Sequence, residues 1–282
     1  AVGEKFIIIY RLSMLDLVPE GSNLSEVIQL GKAIEQAGAS IINTGIGWHE
    51  ARIPTIATKV PRAAFTWVTH AVRKHLTVPV ITSNRINTPE VAERVLANGD
   101  ADLISMARPF LADPEFVNKA AANQAERINT CIGCNQACLD HVFNGKTSSC
   151  LVNPRACEET RIIIAPTQAI KTIAIVGAGP AGLACAVTAA ERGHKVTLYD
   201  AASEIGGQFN IAKRIPGKEE FSETLRYFEV RLKELNVEVK LDTSLTTQAI
   251  NQMQVDELVL ATGVSPRQLA LPGHNHAKVL NY

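Results

Sequence analysis

The sequence predicts an α/β protein: a run of β/α units forming part of a barrel, a cysteine-rich segment, and a second strand–turn–helix–strand fold. Three observations predict it. Through residues 1–125, short β-branched runs alternate with amphipathic stretches about twice as long. Four of the six cysteines fall in CIGCNQACLDHVFNGKTSSC, residues 131–150. A glycine triplet in IVGAGPAGLA joins an apolar strand to an apolar helix.

Each β/α unit has its own signals. KFIIIYRLSM reads as the first strand, and SNLSEVIQLGKAIEQAG as a helix with a Ser/Asn cap region and a stop at Gly38. ASIINTGIG is a strand, FTWVTHAVRKHL a helix and VPVITSNRI a strand. TPEVAERVLANG is a helix with Pro89 near its start and Gly99 at its end; ADLISMARP is a strand and DPEFVNKAAANQ a fourth helix. Four consecutive units imply a parallel sheet, either doubly wound or part of an eightfold barrel. Polar residues favour the barrel: Arg11, the GIGWHE run, Asn84 with Arg85, and Arg108 all follow strands, at the carboxyl ends where barrels place their chemistry. A phosphate near the last two strands would use Arg85 and Arg108, which points to a phosphorylated cofactor.

The cysteines are spaced Cys-x2-Cys-x3-Cys-x11-Cys, at Cys131, Cys134, Cys138 and Cys150. Disulfides among the first three would close small, strained loops, and the chain shows no secretory signal. Zinc usually takes two pairs of ligands, whereas here three thiols crowd together and a fourth stands apart. An iron–sulfur cubane suits that spacing better; zinc and unliganded thiols are the alternatives. Cys157 competes for the fourth position, and Cys185, within GLACAVTAA, reads as a core residue.

KTIAIVGAGPAGLACAVTAAERGHKVTLYD runs strand, glycine turn, helix, strand, with Asp200 ending the second strand 23 residues beyond Gly177. Gly177 permits the turn, Gly179 lets a pyrophosphate approach the backbone, and Gly182 lets helix and strand close together. The helix amino end attracts the anion. Asp200 would accept from a ribose hydroxyl and repel a 2′-phosphate, leaving FAD or NAD for this site. EIGGQ and DELVLATG supply a second flexible glycine pair and a returning strand.

Zero formal net charge, with no lysine or arginine run, argues against nucleic acid or an anionic membrane as partner. No apolar stretch approaches the roughly 18 residues of a membrane span, and a cytoplasmic location is expected. The sequence begins without an initiator Met and ends without a helix or polar tail, so an internal piece of a longer polypeptide is expected.

TGIGWHEARIPTIA, SMARPFLADP, INTCIGCNQACLD, SCLVNPRAC, IVGAGPAGLA and EIGGQFNIAKRIPGKEEF together carry a family resemblance. Over residues 41–158 and 171–266 the chain resembles the bacterial 2,4-dienoyl-CoA reductases (NADPH), within the NADH:flavin oxidoreductases related to old yellow enzyme and trimethylamine dehydrogenase. The resemblance implies the C-terminal half of a (β/α)8 TIM barrel bearing FMN at residues 1–128, a 4Fe–4S segment at 129–165, and a Rossmann-like FAD-binding domain at 166–282. It implies that Arg11, Arg85, Ala107 and Arg108 hold FMN, that Cys131, Cys134, Cys138 and Cys150 ligate the cluster, and that Ala181, Asp200 and Gln208 contact FAD. His49 matches the active-site histidine, which would assist a tyrosine acid that this chain does not contain; His70, His75, His141 and His194 read as ordinary surface or packing residues.

The implied chemistry passes electrons from NADPH through FAD and the cluster to FMN and reduces an acyl-CoA carrying conjugated double bonds, a reaction of unsaturated fatty acid β-oxidation. The alternatives are a noncatalytic FAD and cluster electron-transfer module, or a sister enzyme acting on other enoates or amines. A half barrel also implies a partner chain, or further segments, to cover its open edges.

Overall fold

The computed structural model describes residue 3 and residues 5–48, 51–267 and 270–280. The chain divides into two compact units, Ala1–Glu159 and Thr160–Tyr282, with the cysteine-rich stretch inside the first.

In the first unit, β1 (Ile9–Leu15), β2 (Ile41–Ile46), β3 (Val80–Thr82) and β4 (Leu103–Ile104) form one sheet in the order β1-β2-β3-β4, every pair parallel. Sequential order with a helix in each crossover is barrel topology. Helices α1 (Leu24–Gln36), α2 (Thr66–Arg73) and α3 (Pro89–Ala97) make these crossovers, and the short α4 (Arg108–Ala112) and α5 (Phe116–Ala121) follow β4. The expected caps form. Asn23 accepts from the N–H groups of Ser25 and Glu26 while Glu26 answers the Asn23 N–H, a complete capping box; Thr88 caps α3 with Pro89 at its first position.

Along β1 the side chains alternate. Leu12 and Met14 point into the helix-covered core with Val27, Ile34, Ile42, Val68, Val72 and Val80, while Arg11 and Ser13 face the other way. Leu12, Ile42, Val72 and Val80 are exposed by 2% or less, so each contributes roughly 1.5–3 kcal/mol by leaving water.

The first strand is shorter than the sequence predicts. It starts at Ile9 rather than Lys5 because β2 begins at Ile41, opposite Ile9, and residues 5–7 have no ladder to join among the described residues. β3 and β4 are shorter than their apolar runs as well. After β3 the chain turns sharply through two consecutive left-handed residues, Asn84 (φ 71°) and Arg85 (φ 58°), which ends the ladder and turns the chain inward. A third short helix beyond this sheet, α6 (Leu139–Phe143), begins directly after Cys138.

The second unit holds β5 (Thr172–Val176), α7 (Pro180–Glu191), β6 (Lys195–Tyr199), the single-turn α8 (Phe209–Ala212), α9 (Ser222–Glu234), β7 (Glu238–Lys240), α10 (Thr247–Asn251) and β8 (Glu257–Leu260). The strands are all parallel in the order β7-β6-β5-β8, so the sense in which strands are added switches at β5, with β6 on one side and β8 on the other, where an open α/β sheet forms its ligand crevice. Ile175, Leu183, Ala186 and Leu198 are fully buried between sheet and helix. Leu225 and Leu232 of α9 join this core at helical spacing, a helix that the motif-led reading passed over. No helix among the described residues is long and apolar enough to cross a membrane.

Candidate active site

Three separate sets of candidate residues stand out, two in the first unit and one in the second. At the carboxyl ends of β1–β3 lies an open pocket lined by Arg11 and Ser13 from β1, Gly45 and Ile46 from β2, Gly47 and Trp48 beyond it, and Asn84 after β3. Ile53, Pro54 and Ile56 add an apolar side, and Leu139 and Phe143 of α6 complete it. Arg11 reaches this pocket because it sits on the β1 face opposite Leu12, in register with Asn43. Gly45 packs closely there: a Cβ would lie 3.2 Å from the Leu12 carbonyl and 3.6 Å from the Arg11 guanidinium. His49 lies outside the described residues.

Arg85 and Arg108 are not among the described lining of that pocket; both turn toward the cysteine segment. Arg85 is 4% exposed and donates to the carbonyls of Val60 (2.7 Å) and Thr58 (3.4 Å). Its guanidinium lies beside Gly133, where a Cβ would stand 2.9 Å from Nη1, so the glycine of CIGC makes room for the arginine. Arg108 uses Nη1 to bridge the Ile56 carbonyl (2.9 Å) and Asn135 Oδ1 (2.6 Å), while Ala107 is exposed just ahead of α4. Asn87 donates to the Cys131 carbonyl at 2.7 Å. Loop 131–138 is thus tied to the ends of β3 and β4 by hydrogen bonds from Asn87 and Arg108, with Arg85 packed beside Gly133.

Cys131, Cys134, Cys138 and Cys150 line one cavity with Arg108, Asn135 and the apolar Leu111, Ile132, Leu151 and Val152. All six cysteines of the chain are free thiols, and Cys157, exposed at φ 64°, is not part of the described lining. Burial pushes the Cys131, Cys134 and Cys150 thiols up, Cys150 to about 11. The neighbouring thiols add to the rise: Cys131 feels Cys138, Cys134 feels Cys131 and Cys138, and Cys150 feels Cys131 and Cys134. At Cys131 the Arg108 and Arg85 charges oppose it. Such thiolates need a positive centre among them, which is the donor chemistry of a soft metal. Among the described residues, no three His, Cys, Asp or Glu side chains converge on the position of a single metal ion. The four thiols share one cavity wall.

In the second unit the glycine turn has the form its spacing implies. Gly177 (φ 108°) packs so tightly that a Cβ would lie 2.3 Å from the Ala261 carbonyl, and a Cβ on Gly182 would lie 1.8 Å from the Gly177 carbonyl. Gly179 faces open space, so its missing side chain serves an approach from outside rather than packing within. Ala181 is exposed on the first turn of α7. EIGGQ folds back on this turn: Gly206 donates to the Ala178 carbonyl at 2.7 Å, and a Cβ on Gly207 would stand 3.2 Å from the Gly179 Cα.

Gln208 donates to the Val264 carbonyl (2.6 Å), joining this loop to the segment after β8. Asp200 accepts from the Ala178 N–H (2.6 Å) and the Ala202 N–H (2.8 Å), a role in pinning the turn that the sequence did not announce. A carboxylate has about four acceptor positions, so this leaves capacity for a ribose hydroxyl. Cys185 packs on the core from a partly buried position.

Residues 1–127 match the NADH:flavin oxidoreductase / NADH oxidase family, and residues 171–282 match the pyridine nucleotide-disulphide oxidoreductase family. The chain is 39% identical over 284 residues to a metal reductase of Desulforamulus reducens, covering 99% of this chain and 42% of that protein. It is 35% identical over 272 residues to an NADH oxidase of Thermoanaerobacter brockii, covering 94% and 41%. Among solved structures, a 2-naphthoyl-CoA reductase in complex with 2-naphthoyl-CoA aligns with a TM-score of 0.94 at 32% identity, over 98% of this chain and 42% of that one. The chain therefore spans about two fifths of the length of these relatives. With a flavin-oxidoreductase segment followed by a pyridine-nucleotide segment, the chain belongs to the flavoprotein oxidoreductases.

Proposed function

We propose that the full-length protein is an iron–sulfur flavoprotein reductase that uses NADPH to reduce the conjugated double bonds of a 2,4-dienoyl-CoA. The observation that carries this reading is the cavity lined by Cys131, Cys134, Cys138 and Cys150. Three closely spaced thiols and a distant fourth on one cavity suit a cubane better than the paired ligands of a zinc site. Arg108 and Asn135 set the loop conformation, and the two arginines offset the charge of the thiolates.

Arg11 and Asn84 would orient FMN in the pocket of the first unit. Gly177, Gly179, Ala181 and Gly182, with Asp200 and Gln208, would hold FAD on the second. Bound together, FAD, a 4Fe–4S cluster and FMN would supply acceptance of an electron pair, its division into single electrons, and hydride delivery to the substrate. His49 would support the proton donor. The likeness to a 2-naphthoyl-CoA reductase supports a conjugated CoA thioester as the substrate class, and six free thiols support a reducing, cytoplasmic location.

The test is anaerobic purification of the full-length protein, assay of iron, sulfide, FMN and FAD, and measurement of NADPH-dependent reduction of a 2,4-dienoyl-CoA. Both flavins, about four irons per chain and turnover are expected. One equivalent of zinc in a colourless protein would sink the cluster. FAD and cluster without FMN would favour the noncatalytic electron-transfer module instead.

A further inference from the structure

Cys131, Cys134 and Cys138 sit on one short loop, whereas Cys150 returns to the cavity after an excursion of 11 residues that includes α6. Closing such a loop costs entropy, and spacing alone does not say where its end lies. Long-range hydrogen bonds do, and they bracket Cys150. On one side the Ser149 N–H donates to the Ala137 carbonyl (2.7 Å), joining the residues that precede Cys150 and Cys138. On the other, the Asn129 side-chain amide donates to the Val152 carbonyl (2.7 Å), so the residue two before Cys131 holds the residue two beyond Cys150. A turn closed by the Asn153 N–H on the Cys150 carbonyl (3.3 Å) carries that hold to the cysteine, and the Asn153 side chain donates to the Leu111 carbonyl (2.8 Å).

Asn129 is itself anchored. Its backbone N–H donates to Oδ2 of Asp113 (2.8 Å), a carboxylate 4% exposed that also takes the Lys119 ammonium on Oδ2 (2.6 Å) and the Glu115 N–H on Oδ1 (3.0 Å). Asn129 is 7% exposed, and its Oδ1 is buried with no hydrogen-bond partner among the described residues. A buried amide oxygen left unpaired is costly, so an apolar side chain of the same size would serve better if filling space were the whole task. An apolar side chain could not donate to Val152.

We propose that Asn129 is a positioning residue for Cys150: anchored on Asp113, it holds the turn at residues 150–153 so that the fourth thiol stays on the cavity wall shared by the other three. This rests on the reading of that cavity as the cluster site.

The test compares Asn129→Leu with the unsubstituted full-length protein, both purified anaerobically, by two measures. Ferricyanide takes one electron from a four-iron cubane and one Fe2+ departs, leaving a three-iron centre that EPR detects. Asn129→Leu is expected to make this conversion roughly tenfold faster, the scale of a lost outer-shell partner. Iodoacetamide labelling of separate samples, read peptide by peptide, is expected to be about tenfold faster at Cys150 and within about twofold at Cys131 and Cys185. An unchanged conversion rate, or labelling that rises equally at Cys131 and Cys150, would overturn the proposal. If Asn129→Leu yields no folded protein, Asn129→Ser, whose hydroxyl stops short of Val152, is read by the same two measures and the same outcomes decide. Should the unsubstituted protein hold no iron, the reading of the cavity fails, and the labelling by itself decides whether Asn129 places Cys150.

Discussion

Cys150 shows how far a single residue could be read in advance and how far it could not. Its place, with 11 residues between it and Cys138, marked it as a fourth ligand, but Cys157 competed on spacing alone. Only the fold of residues 139–157 turns Cys150 into the cavity and leaves Cys157 exposed outside it. Cys150→Ser is expected to drop iron and sulfide in the anaerobically purified protein from about four per chain toward zero, while Cys157→Ser leaves both unchanged. Asp16 went unread altogether, because a lone Asp after a strand looks like any loop carboxylate. Burial alone would raise its pKa; hydrogen bonds from Ser13, Ser22 and Trp48 together reverse the sign and leave it lowered. The folded state then favours the carboxylate, and the stabilisation is full above the unfolded value of about 4 and lost as pH falls through the lower folded one. Urea midpoints between pH 6 and pH 3 should fall more steeply for the unsubstituted protein than for Asp16→Asn.

Among the elements, the glycine turn between β5 and α7 was the most legible, because each glycine answers a steric demand that sequence order fixes. The structure attaches a distance to each of the roles read from the spacing. Gly182 holds helix against strand, so Gly182→Ala is expected to destabilise by about 3 kcal/mol or more, seen as a lowered urea midpoint. Gly179 meets open space, so Gly179→Ala should leave the midpoint unchanged and reduce the FAD retained through gel filtration. The turn after β3 was legible only in part: SNR marked a strand end, but two left-handed residues in succession, and the inward course of Arg85 that follows them, arise from contacts with Val60, Thr58 and Gly133 far along the chain. Arg108→Gln removes the charge beside Cys131 and one strand of the tie to Asn135, and iron retention after dialysis is expected to fall while the far-UV spectrum is unchanged.

At the scale of the molecule, the first sheet presents β1 at its edge, and Ile7, Ile8, Ile9 and Tyr10 are between 45% and 64% exposed. A parallel edge strand of this composition is a template for pairing. The 282-residue chain expressed alone is therefore expected to self-associate in a concentration-dependent way by light scattering, and Ile8→Lys to reduce that association. The sequence by itself determined the order of the elements, the two parallel sheets and the residue types available for chemistry, because periodicity, capping and glycine spacing are local and act within a few residues. Tertiary structure alone decided which of these meet: that Arg85 and Arg108 turn to the cysteines while Arg11 keeps the open pocket, and that Asp16 is buried against the Ser13 hydroxyl and the Ser22 N–H. Those outcomes depend on burial and hydrogen bonding between segments up to about fifty residues apart, and no local pattern encodes the direction in which a side chain finds its partner.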